Sequence, residues 1–203
     1  MKKNNPYIIA ITGGIGSGKS TIANIFSTFN IKIIDTDLIA KKLTQPNTIV
    51  LNKIIKRYGY EIINNDGTLI RKKLREIIFK NYNEKKWLDN LMHPVIEAES
   101  QKMIHKYFSP YFLWIVPLLI EKNLQKKVNR VLVVDINIKK QIYRVMKRDN
   151  ISNIQAMRII NAQINNSKRR KFADDIIINN YDYSYLSYRV QQLHKKYIRY
   201  AFS

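Results

Sequence analysis

The sequence predicts an α/β fold, a three-layer sandwich in which helices cover both faces of a parallel central sheet. Three observations predict it. Short apolar runs alternate with helical periodicities along much of the chain. Most of these runs end at a carboxylate, a proline or a glycine loop, as buried parallel strands do where the chain turns out of the sheet. Four of the six glycines sit together between the first run and the first helical pattern. The 203 residues, 45% of them hydrophobic, are enough to bury one such core with an added insert.

Tyr7–Thr12 reads YIIAIT, a β-branched run suited to a buried strand. From Ser20 the chain reads STIANIFSTF, with Ile22, Ala23, Ile25, Phe26 and Phe29 on a helical period. Between them stands GGIGSGKST, and Gly13–Ser20 fits G-x-x-x-x-G-K-[ST], the P-loop pattern. Glycine lets backbone N–H groups close around a ligand with no side chain in the way, and phosphate is the natural guest. Gly14, Ile15, Gly16, Ser17, Gly18, Lys19, Ser20 and Thr21 are the candidate phosphate-binding residues. Lys19 can reach the β/γ region, and the Ser20 hydroxyl is a candidate Mg²⁺ ligand.

A second strand candidate, Ile31–Asp35 in IKIIDTD, delivers Asp35 and Asp37 at its carboxyl end, where open α/β sheets place ligands. A carboxylate there can accept a hydroxyl proton or help hold a hydrated magnesium. It can equally cap the helix that LIAKKL predicts. Residues 47–107 read as helices, interrupted at Gly59, at the NNDG turn and at His93–Pro94, with no strand pair evident. Arg71 and Arg75 are one turn apart and can face an anion together, while His93 is a ligand contact or a satisfied structural residue.

Tyr111–Val116 (YFLWIV) and Val131–Asp135 (VLVVD) read as central parallel strands. Asp135 is placed either to bind metal or to cap the next helix. QIYRVMKRDN then carries Arg144 and Arg148 at i, i+4, the arrangement of a lid that lays guanidinium groups on a transferring phosphoryl group. Asp174–Asp175 with IIINN predicts a last short strand, and a tyrosine-rich helix closes the chain. Those tyrosines could stack bases, but they are better read as core packing.

The formal net charge is +21, but lysine outnumbers arginine 25 to 11 and comes in scattered KK pairs, from Lys2–Lys3 to Lys195–Lys196, among abundant Ile and Asn. That is the mark of A/T-biased codons and a solvated surface, so no nucleic-acid partner is expected; the charge would still steer an anionic substrate inward. With no cysteine, neither disulfides nor thiolate metal sites can form. The apolar stretch behind Lys2–Lys3 is too short for a signal peptide or a membrane span, which points to a cytoplasmic protein without membrane contact. No N-K-x-D stretch appears to read guanine, which argues against a regulatory GTPase.

GGIGSGKST, the DTD at 35–37, DGTLIRKKL, LMHP, PLLIE, RVLVVD, Q-x-x-R-x-x-x-R at 141–148 and ADDIIINN stand in an order that resembles the dephospho-CoA kinases over nearly the whole chain. The resemblance implies transfer of the ATP γ-phosphoryl to the 3′-hydroxyl of dephospho-CoA, with Mg²⁺ as cofactor, by a monomer or weak homo-oligomer. It implies a nucleotide core at 1–46, 108–137 and 173–203, an acceptor-binding helical insert at 47–107 and a lid at 138–172. By the same resemblance Lys19 is the charge stabiliser, Ser20 the magnesium ligand and Asp37 the residue that orients or deprotonates the attacking hydroxyl. Arg71 and His93 match acceptor-side positions, and Arg144 and Arg148 match lid arginines. One position departs: where many members carry Asp two residues before the PLL proline, this chain has Ile115, so any magnesium-water role of that carboxylate falls to Asp37 or is absent.

Overall fold

Each apolar run becomes a strand, most of them trimmed by a residue or two and the fourth extended by one to Arg130. The computed structural model describes residues 6–203, so the Lys2–Lys3 pair lies outside the described residues. In chain order the elements are β1 (Ile8–Thr12), α1 (Lys19–Ser27), β2 (Lys32–Asp35), α2 (Thr36–Leu43), α3 (Ile49–Tyr58), α4 (Arg71–Lys80) and α5 (Tyr82–Lys106). They continue with β3 (Phe112–Ile115), β4 (Arg130–Asp135), α6 (Ile138–Asp149), α7 (Asn153–Asn161), α8 (Asn166–Arg170), β5 (Asp175–Ile178) and α9 (Tyr183–Ala201).

The strands form one sheet in the order β2-β3-β1-β4-β5. The pairs β1–β3, β1–β4 and β4–β5 are parallel, with Ile9 opposite Leu113, Ile11 opposite both Ile115 and Leu132, and Val134 opposite Ile177. That register lines Ile9, Ile11, Leu113, Ile115, Leu132, Val134 and Ile177 along one face, where they pack with Ile22, Ile25 and Phe26 of α1 and Leu186, Val190, Leu193 and Tyr197 of α9. The alternate residues Ile8, Ala10, Phe112, Trp114, Val131 and Val133 are buried as well. Burial of both faces is what makes these strands read as unbroken apolar runs instead of alternating ones. All three central strands therefore end together, and their carboxyl ends lead into the phosphate loop, Pro117 and Asp135.

The described residues divide into two compact units, one comprising 6–34 and 107–203 and the other 35–106. The second has its own core of Val50, Leu51, Ile54, Ile62, Leu69 and Leu74, ringed by Trp87, Leu88, Leu91 and Met92 among others. Thr48 caps α3, its hydroxyl accepting from Leu51 N–H at 3.2 Å. Glu84 accepts two N–H groups of Arg57 at 2.6 and 2.7 Å and the Tyr58 hydroxyl at 2.6 Å. Those bonds hold its carboxyl down at about 2. Two local readings change here. Helix α5 runs through Pro94 instead of breaking at it. Proline deletes one ladder bond, and a helix of 25 residues packed with α2 and α4 in the same unit retains enough others to continue. The NNDG turn also forms an isolated antiparallel bridge, Ile63 to Leu69, closed by Asp66 accepting from Thr68 N–H at 2.9 Å and the Thr68 hydroxyl at 2.6 Å. Among the described residues no helix is long and apolar enough to cross a membrane.

Candidate active site

Between β1 and α1 the backbone takes turns that need glycine: Gly16 at φ 73° and Gly18 at φ 93° are both left-handed. Space is restricted as well. A Cβ on Gly13 would collide with the Val134 carbonyl of the neighbouring strand, and one on Gly18 with the Asn179 amide. Four of the loop carbonyls are held by side-chain donors. Lys19 Nζ donates to the carbonyls of Gly13 at 2.8 Å and Gly14 at 3.1 Å, Gln141 Nε2 to Ile15 at 2.8 Å, and Asn179 Nδ2 to Ser17 at 2.7 Å.

Gly18 caps α1 without a side chain to accept from the first turn. The N–H groups of Lys19, Ser20 and Thr21 have no carbonyl within the helix to receive them, and together with the helix dipole they make a ready anion site. Ser20 and Thr21 lie at the exposed rim of that turn, where a hydroxyl can reach a metal held by phosphate oxygens. Lys19, folded back on the Gly13 and Gly14 carbonyls, already sits within the loop. Of the two lid candidates, Arg144 stands beside the loop, its Nη1 3.4 Å from the point where a Gly18 Cβ would be. Arg148 instead places Nε and Nη2 on the Asp149 carboxylate at 2.8 Å each, which raises its pKa further.

Asp135 ends β4 almost fully buried, and the structure settles its two sequence readings against the cap. Asn137 caps α6, accepting from Lys139 N–H at 2.9 Å. Asp135 accepts from Ile136 N–H at 2.9 Å and from Arg170 Nε at 2.7 Å, so its charge is matched by a guanidinium. Arg169, next in the same helix, is 1% exposed. It donates to Asn166 Oδ1 at 2.7 Å and to the Ile164 carbonyl at 2.8 Å. Desolvation lowers its pKa, opposed by Glu121 and Asp135. A cavity of about 500 Å³ opens there, lined by Gly14, Gln141, Gln163, Asn166, Lys168 and Arg169.

In the second unit, Asp35 proves to be the cap of α2, accepting from Asp37 N–H at 2.8 Å and Leu38 N–H at 3.3 Å. Asp37 follows in the first turn, so its carboxylate is not the capping group. Arg71 opens α4 and donates to the Thr44 hydroxyl at 2.7 Å. His93 lies one turn from Asp89, its Nε2 3.2 Å from the carboxylate, in the middle of α5. Sequence reasoning quoted Gln141 and Asn179 only inside their motifs and passed over Gln163 and Arg169, so none of these side chains was expected to shape the loop. The available signal was a polar residue directly after an apolar strand, as Asn179 is, where ligands gather in this class of sheet.

The model of a family described as dephospho-CoA kinase matches residues 7–184. The chain is 46% identical over 195 residues to the dephospho-CoA kinase of Shigella flexneri, covering 96% of this chain and 95% of that one. Among solved structures it is similar to a Thermus thermophilus protein at 25% identity and a TM-score of 0.82, over 95% of this chain and 98% of that one. It is similar also to the dephospho-CoA kinase from Campylobacter jejuni at 28% identity and a TM-score of 0.69, over 95% and 97% of the two chains.

Proposed function

The chain belongs to the dephospho-CoA kinase family, and from that premise we propose that it transfers the ATP γ-phosphoryl to the 3′-hydroxyl of the dephospho-CoA ribose, yielding coenzyme A and ADP. The observation that carries the reading is the loop itself: an uncapped α1 with left-handed Gly16 and Gly18 and with Lys19 folded inside. In the transfer the acceptor oxygen forms a bond to the γ-phosphorus as the bond to the β–γ bridging oxygen breaks. ADP departs with that electron pair, and the hydroxyl proton passes to a base and then to solvent. Such a step needs alignment and charge neutralisation more than covalent chemistry.

Lys19 and the first-turn N–H groups of α1 would take the charge that builds on the bridging oxygen. Arg144 and Arg148, in a lid at 138–172, would take charge on the transferring group. Asp37 would align the hydroxyl and collect its proton, and Arg71 and His93, in the helical unit at 47–107, would hold the acceptor. Mg²⁺ fits the exposed Ser20 hydroxyl in the first turn of α1: Ser20 and ATP oxygens would hold it, and it would neutralise phosphate charge. The enzyme would act in the cytoplasm as a monomer or weak homo-oligomer, with no membrane or nucleic-acid partner.

A coupled ADP-release assay tests the acceptor. Dephospho-CoA should support turnover where adenosine and shikimate do not; faster turnover with either of those would overturn the reading. Asp37→Asn keeps the shape but loses the charge. Turnover should fall roughly a hundredfold with ATP affinity little changed, and near-normal turnover would remove Asp37 from the acceptor chemistry.

A further inference from the structure

Ile15, near the middle of the phosphate loop, has both of its backbone polar groups held by side chains from distant parts of the chain. Its carbonyl accepts from Gln141 Nε2 at 2.8 Å, and its N–H donates to Gln163 Oε1 at 2.8 Å. Because a carbonyl only accepts and an N–H only donates, these two contacts fix which end of each amide faces the loop. Gln141 lies on α6, and Gln163 in the connection between α7 and α8. Helix α6 and the connection before α8, both within the stretch 138–172, thus meet on one loop residue.

Packing alone does not account for the pair. Gln141 is 2% exposed, and its other amide atom, Oε1, is buried with no hydrogen-bond partner. An apolar side chain of the same size would fill that space without leaving an acceptor unsatisfied. The amide also lies hard against the loop, since a Cβ on Gly14 would stand 2.6 Å from Gln141 Nε2. The contact is therefore made at the one side-chain atom of Gln141 that can donate, and it falls on the loop segment whose peptide orientation decides which N–H groups face a phosphate.

We propose that Gln141 and Gln163 are positioning residues for phosphoryl transfer: acting through hydrogen bonds of opposite sense, they fix the Ile15 peptide groups and hold the 138–172 segment in register with the phosphate loop. The proposal rests on the kinase reading given above. It makes an asymmetric prediction, because glutamate has the size of glutamine but, when ionised, only accepts. At 163 the native bond needs an acceptor and glutamate supplies it. At 141 the native bond needs a donor, and a carboxylate would face a carbonyl.

Four variants, Gln163→Glu, Gln163→Met, Gln141→Glu and Gln141→Met, would be compared for ADP affinity by calorimetry, for turnover with dephospho-CoA, and for thermal midpoint. Gln163→Glu should stay within about threefold of the parent in affinity and turnover. The other three should lose about tenfold or more, the scale of one hydrogen bond lost at a reacting site, with Gln163→Met melting within a few degrees of the parent. If Gln163→Met keeps full affinity and turnover, or if Gln163→Glu falls as far as Gln163→Met, the proposal is overturned. Should the buried Gln141 variants fail to fold, the Gln163 pair decides alone. ADP affinity is read without any acceptor, so a parent protein that binds ADP but fails to phosphorylate dephospho-CoA would overturn the acceptor assignment and leave this test intact.

Discussion

The two ends of the sheet handle charge in opposite ways. At the amino ends of β4 and β5, Asp175 is surrounded by matching donors: Arg130 Nε at 3.1 Å, Lys196 Nζ at 2.5 Å and the Tyr197 hydroxyl at 3.1 Å. Asp174 accepts from Val131 N–H at 2.7 Å, and the Arg130 guanidinium lies over the Tyr200 ring. At the carboxyl ends, cations gather around the phosphate loop. Lys19 bonds to carbonyls, Arg144 stands beside Gly18, Arg169 is buried 3.7 Å from Glu121, and Arg170 takes Asp135. The amino end is closed as a structural bracket, whereas at the carboxyl end Arg169 and Arg170 meet carboxylates but Lys19, on neutral carbonyls, and Arg144, beside Gly18, hold positive charge that an incoming polyanion can use. In a parallel sheet the carboxyl ends are where ligands bind.

Substitutions at the two ends should therefore separate activity from stability. The largest effect is expected for Lys19→Ala, which should lower turnover by a hundredfold or more while lowering the urea midpoint only modestly, because what it takes from the fold is the pair of bonds from Nζ to the Gly13 and Gly14 carbonyls. A variant that unfolds more easily yet turns over normally would erase the contrast. At the other end, Asp175→Asn strands Arg130 and Lys196 against a neutral amide. It should cost about 2 kcal/mol, reduced from the fully buried case because both cations reach solvent, with turnover per folded molecule unchanged. The smallest effect is expected for Tyr197→Phe, which removes one buried hydroxyl bonded to Asp175 and should cost about 1 kcal/mol by denaturant titration. If Tyr197→Phe lowers turnover more than it lowers stability, the bracket is coupled to the site and the two ends are not separable.

The phosphate loop was legible because its chemistry is local: glycines, lysine and serine in fixed succession between a strand and a helix. The three central strands were legible because burial on both faces leaves an uninterrupted apolar signal. Residues whose meaning depends on a partner far along the chain were not. Asp135 looked able to cap α6, and its pairing with Arg170 was hidden because Arg170 sits in the run SKRRK, which reads as solvated surface. Gln163 gave no signal of its own and Gln141 only its place at the head of the 141–148 motif, since it is the folded register that brings both to Ile15. Asp35 and Asp37 were two residues apart with either able to cap, and the bonds from Asp37 N–H and Leu38 N–H assign the cap to Asp35. Pro94 misled for a different reason, because the rule that proline breaks a helix weighs one lost bond and ignores what the rest of a long helix retains.

The strand order also bears on how the chain is made. β1 is central, and its partners β3 and β4 begin at Phe112 and Arg130. During synthesis Ile8–Thr12 therefore leaves the ribosome long before anything it can pair with. The unit at 35–106 has a core of its own, built mostly from neighbouring helices, and can collapse while β1 is still waiting. An apolar strand with two unpaired edges is a template for other chains. Over that interval, crowded polysomes and slow translation between codons 12 and 112 would decide how much of the product reaches the native sheet and how much aggregates through its first strand.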